Sequence, residues 1–437
     1  MTSRVFVSLV LVGALLALTP GDSMASDGAL VLEGGTVHSL AGDPVETSVV
    51  IVDGVIQSLG GEVPAGATRL DISGLHVYPG FFDALSQMGL VEIGSVAATI
   101  DSAELGRFNA HLQATTAVHP DSEIIPVTRS NGISHALTAP RPGRDGVIAG
   151  QGAVIHLDGW TVEEMALDPS VAMVINWPAI QTRSFDFSTF TFRETPFKEA
   201  EKEAKEAQDE LRDWLDAARH YAQADAAGAE RHERNLKLEA LARVLDGGLP
   251  VIVQVNAKRD IESAVAFAEE QGLEIILAGM RDGWEVADLL AEKDIPVILG
   301  RVASLPNQED DPYDRPYRNA GALNAAGVKI AFGSGAGGGF GPGGPHSART
   351  LPYEAGMAVA FGLPVEEALR ALTLYPAEML GLGDRLGTVE EGKIANLMVT
   401  NGNPLDFTSR VHHLIIGGRE VSTDNMHRSL YERYRAR

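Results

Sequence analysis

The chain has 437 residues, of which 45% are hydrophobic, and this suits one large packed domain with a small satellite. Its formal net charge of −24 argues against anionic partners, so we expect neither nucleic acid binding nor attachment to an anionic membrane surface. The absence of cysteine from the sequence excludes a disulfide framework and a cysteine nucleophile.

The first segment, residues 1–25, has the pattern of a secretory signal. Arg4 supplies a positive start, Val5–Leu18 is an apolar run, and residues 23–25 form a small-x-small cleavage site. A transmembrane anchor is the weaker alternative, because the apolar run is shorter than the roughly 20 residues that span a bilayer. We therefore expect cleavage before Ser26 and a periplasmic or secreted protein with no membrane attachment after cleavage.

Two β-rich stretches, residues 26–78 and 384–437, lie at opposite ends of the mature chain. In the first stretch, Asp53-Gly54 separates the apolar runs Val49–Val52 and Val55-Ile56, which is a strong hairpin signal. In the second, apolar runs include Val411–Ile416. We expect both stretches to assemble into one small β-sandwich-like domain, with a terminal helix at the C-terminal end.

The middle of the chain, residues 79–383, alternates short β-branched runs with amphipathic helical patterns such as Asp260–Gln271. Repeated strand–helix units predict a parallel sheet, and this many units favour an α/β fold of the (β/α)8 TIM barrel type. The predicted strands include Val171–Ile175, Val251–Val255, Glu274–Leu277, Val297–Leu299 and Val328–Phe332.

A long charged helix is predicted over Phe197–Tyr221, where Thr195 is a candidate N-cap and Pro196 suits the first turn. One interpretation of this helix is a lid or docking element. The favoured interpretation is a solvated barrel helix with a narrow buried stripe. The stripe comprises Ala200, Ala204, Ala207, Leu211, Trp214 and Leu215.

Several phrases of the sequence resemble the amidohydrolase superfamily. Residues 78–88 read Tyr-Pro-Gly-Phe-Phe-Asp-Ala-Leu-Ser-Gln-Met, which is similar to the family's first-strand phrase Pro-Gly-apolar-apolar-Asp-Ala-His-x-His. Residues 250–257, 327–335 and 387–397 resemble its fifth-strand, eighth-strand and C-terminal phrases. Phrases such as Asn131–Ile133 resemble its imidazolonepropionase-related, exported branch. The resemblance covers nearly the whole mature chain and implies a (β/α)8 barrel.

In that superfamily the same phrases carry the ligands of a catalytic divalent metal, whereas no corresponding position of this chain retains one. These positions are Leu85, Gln87, Asn176, Gln254, Ala278 or Gly279, and Gly335, the last at the family's aspartate. Zinc needs three or four nitrogen, sulfur or carboxylate ligands that converge. The histidines lie elsewhere without ligand spacing, although His346, His119 and His135 are candidates for the barrel mouth. We therefore predict neither a metal nor another cofactor.

Seven polar residues are candidates to line the mouth and bind a polar or anionic small molecule: Gln87, Gln151, Gln254, Asn256, Arg281, Arg301 and Ser334. The alternative is that they hydrogen-bond one another and fill the space that a metal would take. The glycine-rich run Gly333–Gly344 lacks the Lys-Ser/Thr of a P-loop and is interpreted as a loop over the mouth.

Three functions are compatible with these patterns. The favoured one is an exported pseudoenzyme that serves as a binding module or as the non-catalytic partner of an active relative. The second is an active hydrolase of carbon–nitrogen bonds other than peptide bonds, with a remodelled site, and the third is a structural scaffold. We also predict a homo-oligomer or a hetero-oligomer with an active paralogue, and the stripe around Trp214 is a candidate contact surface.

Overall fold

The computed structural model of the chain describes residues 28–143, 145–186, 191–227, 233–308, 310–336 and 344–437. The predicted signal segment, His232 and most of the glycine-rich run therefore lie outside the described residues. Within the described ranges, no helix is both long enough and apolar enough to cross a membrane.

Seven short strands form from the first β-rich stretch. The turn between the fourth and fifth strands is the predicted hairpin, and Asp53 (φ 51°) and Gly54 (φ 80°) both adopt the left-handed conformation that such a two-residue turn requires. The seven strands are β1 (Leu30–Glu33), β2 (Thr36–Val37), β3 (Val45–Glu46), β4 (Val49–Val52), β5 (Val55–Leu59), β6 (Thr68–Asp71) and β7 (His76–Pro79).

The next ten strands of the chain supply the central sheet and one separate hairpin. In chain order they are β8 (Phe81–Ser86), β9 (Ile133–Thr138), β10 (Ile148–His156), β11 (Ala166–Asn176), β12 (Arg183–Asp186), β13 (Thr191–Glu194), β14 (Val251–Val255), β15 (Ile275–Gly279), β16 (Val297–Leu299) and β17 (Ile330–Phe332). The β12–β13 pair stands apart, and the other eight strands lie side by side in chain order.

The two edges of the eight-stranded sheet meet, so the sheet is a nearly closed barrel. Just beyond β17, the Gly335 N–H donates to the Leu85 carbonyl of β8 at 2.7 Å. Next to it, Ser334 donates from its backbone and its side chain to Asp83 of β8. The (β/α)8-type barrel predicted from the strand–helix repetition is thereby confirmed.

One strand departs from the predicted parallel sheet. β10 runs antiparallel to both β9 and β11, whereas the other neighbouring pairs in the sheet are parallel. Parallel neighbours need a connection of about a dozen residues or more, usually with a helix. Residues 139–147 between β9 and β10 are too few for such a crossover, so the chain turns back, and the all-parallel prediction is wrong at this strand.

Helices cover the outside of the barrel and end the chain. They are α1 (Ile124–Arg129), α2 (Val162–Met165), α3 (Phe197–Ala226), α4 (Leu236–Leu245), α5 (Lys258–Gln271), α6 (Ala287–Glu292), α7 (Arg315–Ala325), α8 (Leu351–Ala360), α9 (Val365–Ala371), α10 (Leu374–Met379) and α11 (Met426–Arg435). Short 3₁₀ turns occur at Ala97–Thr99, Ala114–Thr116, Gly283–Glu285 and Pro345–Thr350.

The long helix α3 begins at the predicted residue and runs five residues beyond the predicted end. Its buried residues form a narrow stripe, as in the favoured interpretation of a solvated barrel helix, and α3 packs along α4. Trp214 is half-buried and stacks on Phe108, with 5.5 Å between ring centroids, while the Lys237 ammonium lies 5.7 Å from its ring. One face of the Trp214 ring is therefore engaged within the chain, and the predicted contact surface around it stays a prediction.

The two ends of the chain form the predicted composite sandwich. The last strands, β18 (Leu397–Thr400), β19 (Val411–Ile416) and β20 (Arg419–Val421), join β7, β2 and β3 in one six-stranded sheet, with β18 paired to β7. The order of the other sheet is β5-β4-β1-β6. Apolar residues from both sheets, including Val49 and Leu397, bury each other in a core of their own. This core holds the termini together beside the barrel.

Candidate binding site at the barrel mouth

A cavity of about 680 Å³ opens at the carboxyl ends of the barrel strands. Its walls include the end of β15 at Gly279, the end of β16 at Leu299 and the residue pair Ser334-Gly335 that follows β17. Gln87 reaches it from the end of β8 and Gln254 from β14. Active sites of (β/α)8 enzymes occupy this end of the barrel. The cavity therefore lies where a barrel of this kind assembles its functional residues.

Five of the seven residues predicted for the mouth line this cavity: Gln87, Gln254, Arg281, Arg301 and Ser334. His346, which was predicted to reach the mouth, lines it as well, and its Nε2 lies 2.9 Å from the carbonyl oxygen of Glu92.

Gln151 and Asn256 do not line the cavity. Gln151 lies on the antiparallel strand β10 and is buried, where its Nε2 donates to the Ala110 carbonyl at 2.9 Å and its Oε1 accepts from Ser170 Oγ at 2.6 Å. Its placement at the mouth was wrong because its side chain bonds Ala110 and Ser170 and does not face the cavity. Asn256 lies next to the cavity residue Gly279, and its Oδ1 is 2.8 Å from where a Cβ on that glycine would stand.

The positions that would hold a metal in the family do come together, but their chemistry does not suit one. Asn176, Gln254 and Ala278 are neighbours across β11, β14 and β15. Leu85 is fully buried among the apolar side chains of the barrel core. The remaining donors at these positions are neutral amides, which are poor ligands for zinc. Among the residues that the structure describes, no group of three His, Cys, Asp or Glu side chains could hold a metal ion.

Gln87 occupies the space that a side chain at position 335 would need. A Cβ on Gly335 would stand 2.7 Å from Gln87 Nε2 and 3.1 Å from the Leu85 carbonyl oxygen. Both distances are shorter than ordinary van der Waals contact. An aspartate at position 335 would therefore have to displace Gln87, so the two substitutions relative to the family pattern fit each other sterically.

Asp83 is the carboxylate at the base of the mouth, and the sequence analysis did not assign it a role. It is fully buried, its Oδ1 accepts from the Ser334 N–H at 2.9 Å, and its Oδ2 accepts from the Ser334 hydroxyl at 2.5 Å. Burial raises the pKa of Asp83 to about 6, although the hydrogen bonds from Ser334 act in the opposite direction. The pair ties β8 to the segment after β17, and only the Ser334 end of it lines the cavity.

The cavity wall is rich in arginine although the whole chain is acidic. Arg141 and Arg315 line it together with Arg281 and Arg301. Arg301 lies 3.6 Å from Glu354, and Arg281 Nη2 donates to the Leu305 carbonyl at 2.9 Å. The Arg315 guanidinium lies 4.1 Å from the ring centre of Trp284. Arg141 and Arg315 were not predicted for the mouth, because they lie outside the stretches that resemble the family's phrases.

Two histidines form a buried cluster away from the cavity. His135, a candidate for the mouth, lies on β9 with its Nδ1 2.6 Å from Ser134 Oγ, so that placement was wrong. The Asn396 side chain lies 3.0 Å from His156 Nε2 and accepts from the Gly417 N–H at 2.8 Å. Burial lowers the pKa of His156 to about 4 and that of His135 well below its usual value. These histidines stay neutral and connect the barrel to the sandwich.

Comparison with known proteins agrees with this architecture. A sequence model of the Amidohydrolase family matches residues 220–421. Amidohydrolase tasK of Hapsidospora irregularis is 24% identical over 79% of this chain and 36% of its own length. Imidazolonepropionase of Porphyromonas gingivalis is 34% identical over 25% of this chain and 26% of its own. The chain thus spans only about a third of the length of the first relative and about a quarter of the length of the second.

The crystal structure of an amidohydrolase from Thermotoga maritima superposes over most of the chain. The two proteins are 25% identical with a TM-score of 0.76, and the match covers 90% of this chain and 99% of that one. The superposed part includes both the barrel and the sandwich formed by the two ends, since so little of either chain is left out.

Proposed function

We propose that this chain, which belongs to the amidohydrolase superfamily, is a metal-independent binding protein for an anionic small molecule. The proposal includes export from the cytoplasm and a role as a binding module or as the non-catalytic partner of an active relative. It keeps the cavity at the barrel mouth as the functional site and assigns no hydrolytic step to it.

The observation that carries the proposal is the coupled change at the metal-binding positions. Gln87 fills the space next to Gly335, and Leu85 belongs to the apolar core. A metal-dependent hydrolase uses a bound ion to generate hydroxide and an acid–base group to move protons. In this chain, the side chains at those positions are neutral, while arginines line the open space beside them.

Metal content and activity of the purified protein test this proposal together. We expect no stoichiometric zinc after purification, and we expect a chelator to leave the melting temperature unchanged, because a metal that binds the native state would raise it by mass action. We expect small organic acids to raise that temperature by the same linkage. Zinc at one equivalent, with a melting temperature that falls on chelation, would overturn the metal-independent part.

A second candidate function is hydrolysis of carbon–nitrogen bonds by a remodelled site. The observation that favours it is the Ser334 hydroxyl, which lines the cavity and donates to Asp83 at 2.5 Å. A buried carboxylate can accept a proton from such a hydroxyl. Turnover of amide or cyclic imide substrates that Ser334→Ala abolishes and Thr116→Ala leaves intact would support this function. Thr116 is the control because its exposed hydroxyl bonds only locally, to the Gln113 carbonyl.

Export and association are separate parts of the proposal and need separate tests. Fractionation of cells that express the full chain should place a form shortened by about 25 residues, the length of a typical signal segment, outside the cytoplasm. A tagged chain should recover either itself or an active relative from its own host. A full-length cytoplasmic protein that sediments as a monomer would contradict both parts while leaving ligand binding intact.

A further inference from the structure

The segment between β16 and α7 lines more of the cavity than any one strand end does. Residues 300–307, together with Asp311, Arg315 and Pro316, all contribute to the wall. This segment brings both charged and apolar side chains to one opening. Its composition therefore indicates what kind of molecule the cavity accepts.

We propose that the cavity binds an amphiphilic organic anion, with its head group at Arg281 and Arg315 and its apolar body against the wall formed by the β16–α7 segment. This inference rests on the proposed function, since it names the class of ligand for the same cavity. It adds that charge alone does not suffice and that an apolar body of several carbons contributes to recognition.

Two guanidinium groups are available for the head group. Among the described residues, neither Arg281 nor Arg315 has a carboxylate within 4.0 Å, whereas Arg301 has Glu354 at 3.6 Å. The Arg281 side chain is positioned by its hydrogen bond to Leu305, and that of Arg315 is positioned by the face of Trp284. Held guanidinium groups suit carboxylate or phosphate oxygens, because the N–H donors are already oriented.

An apolar surface adjoins these cations. The larger apolar residues of the cavity wall include Val91, Ile100, Leu299, Val302, Leu305 and Pro306. Leu305 is 80% exposed, and its backbone carbonyl accepts the hydrogen bond from Arg281, so the two residues adjoin. A single exposed leucine is ordinary on a protein surface. Here, Leu305 continues the apolar wall of a cavity, and a ligand that covers it would remove apolar surface from water.

The size of the cavity limits the ligand to a small molecule. Its volume of about 680 Å³ falls within the range of sites that enclose drug-sized ligands. A guanidinium group recognises carboxylate and phosphate oxygens in the same way. Binding measurements with both kinds of head group are therefore needed to tell which one the cavity prefers.

Titrations of the mature protein with four matched probes, followed by ligand-observed NMR, test the inference. Hexanoate has both features, acetate keeps only the charge, hexanamide keeps only the body, and hexyl phosphate changes the head group. We expect hexanoate to bind about tenfold more tightly than acetate, which corresponds to burial of about two methylene groups. We expect hexanamide to bind about tenfold more weakly than hexanoate, because it lacks the charge-assisted hydrogen bonds.

Two pairs of variants connect the result to the named residues. Leu305→Ser should weaken hexanoate more than acetate, while Leu105→Ser, at a leucine that is 96% exposed outside the cavity, should weaken neither. Arg315→Met should weaken both acids about tenfold, while Arg318→Met should not, because Arg318 lies outside the cavity wall and pairs with Asp314. Circular dichroism confirms that each variant is folded.

The outcomes separate the inference from the proposed function. Equal affinity for hexanoate and acetate would overturn recognition of the apolar body and leave anion binding intact. Equal affinity for hexanoate and hexanamide would overturn the role of the arginines as well. Failure of all four probes to bind at millimolar concentration would overturn the inference together with the proposed function. Tighter binding of hexyl phosphate than of hexanoate would support the inference and identify the head group as a phosphate.

Discussion

Replacement of Asp83 by asparagine should make the protein more stable at neutral pH, by an amount that depends on pH. Burial raises the pKa of Asp83 to about 6 in the folded state, against 3.8 for a solvated aspartate in the unfolded chain. Between these two values the folded protein holds a proton that the unfolded chain has lost, so the free energy of unfolding falls as pH rises through that window. The accumulated loss at pH 7 is about 3 kcal/mol, since each pKa unit corresponds to about 1.4 kcal/mol.

Asparagine can keep the two hydrogen bonds with Ser334 without the charge, whereas Asp83 also accepts hydrogen bonds from the Leu85 N–H and the Ser86 hydroxyl. The asparagine Oδ1 can accept from the Ser334 N–H, and its Nδ2 can donate to the Ser334 hydroxyl, which then turns to act as acceptor. Urea unfolding at several pH values measures the difference between the wild-type protein and Asp83→Asn. We expect an advantage for the variant of about 1 kcal/mol at pH 4.5 that grows to about 3 kcal/mol at pH 7.

The comparison has an internal control and a clear contrary result. Asp71→Asn changes an exposed aspartate whose pKa is lowered by the Ser73 hydroxyl, so this variant should gain no stability as pH rises. The buried histidines titrate in both proteins. Their effect therefore cancels when the unfolding free energy of the wild-type protein is subtracted from that of Asp83→Asn. A variant that is less stable than wild type at pH 7, or a difference that does not change with pH, would refute the argument from burial.

Three further predictions follow from buried or half-buried groups. Because burial lowers the folded-state pKa of His156 to about 4, protonation of this one group should remove up to about 3 kcal/mol of stability as pH falls from 6.5 to 4, in opposition to the gain from Asp83 over the same range. In the same urea titrations, His156→Gln should therefore be destabilised less by acid than the wild-type protein is. The double variant Leu85→His with Gln87→His should melt at a lower temperature, because a polar ring would enter the apolar core. It should show no hydrolysis, because Gln254 and Gly335 stay unchanged. Recovery of activity would mean that the assignment of the other ligand positions is wrong. Trp214→Ala should lower the unfolding free energy by about 2 kcal/mol, because the packing of Trp214 on Phe108 is lost. Unchanged stability together with a shift from oligomer to monomer in size exclusion would instead identify Trp214 as an interface residue.

Local patterns were enough to predict the elements of this fold. The Asp53-Gly54 hairpin, the helix that begins at Phe197 and the strand Val251–Val255 follow from turn chemistry and hydrophobic periodicity, which act over a few neighbouring residues. That Leu85 and Gly335 offer no side-chain ligand for a metal is also a property of the sequence, because no fold can turn these residues into ligands.

Only the tertiary structure decided which side chains meet. The direction of β10 depends on the length of the connections to β9 and β11. The Gln151 side chain is absent from the cavity wall because it bonds Ala110 and Ser170, which lie 41 and 19 residues away. The hydrogen bonds of Asp83 with Ser334 and the approach of Gln87 to Gly335 join residues about 250 positions apart. The positions of Arg141 and Arg315 in the cavity wall likewise depend on how distant segments close over the barrel. Such contacts are set by the closure of the barrel, which brings its first and last strands together, and a local pattern carries no information about them.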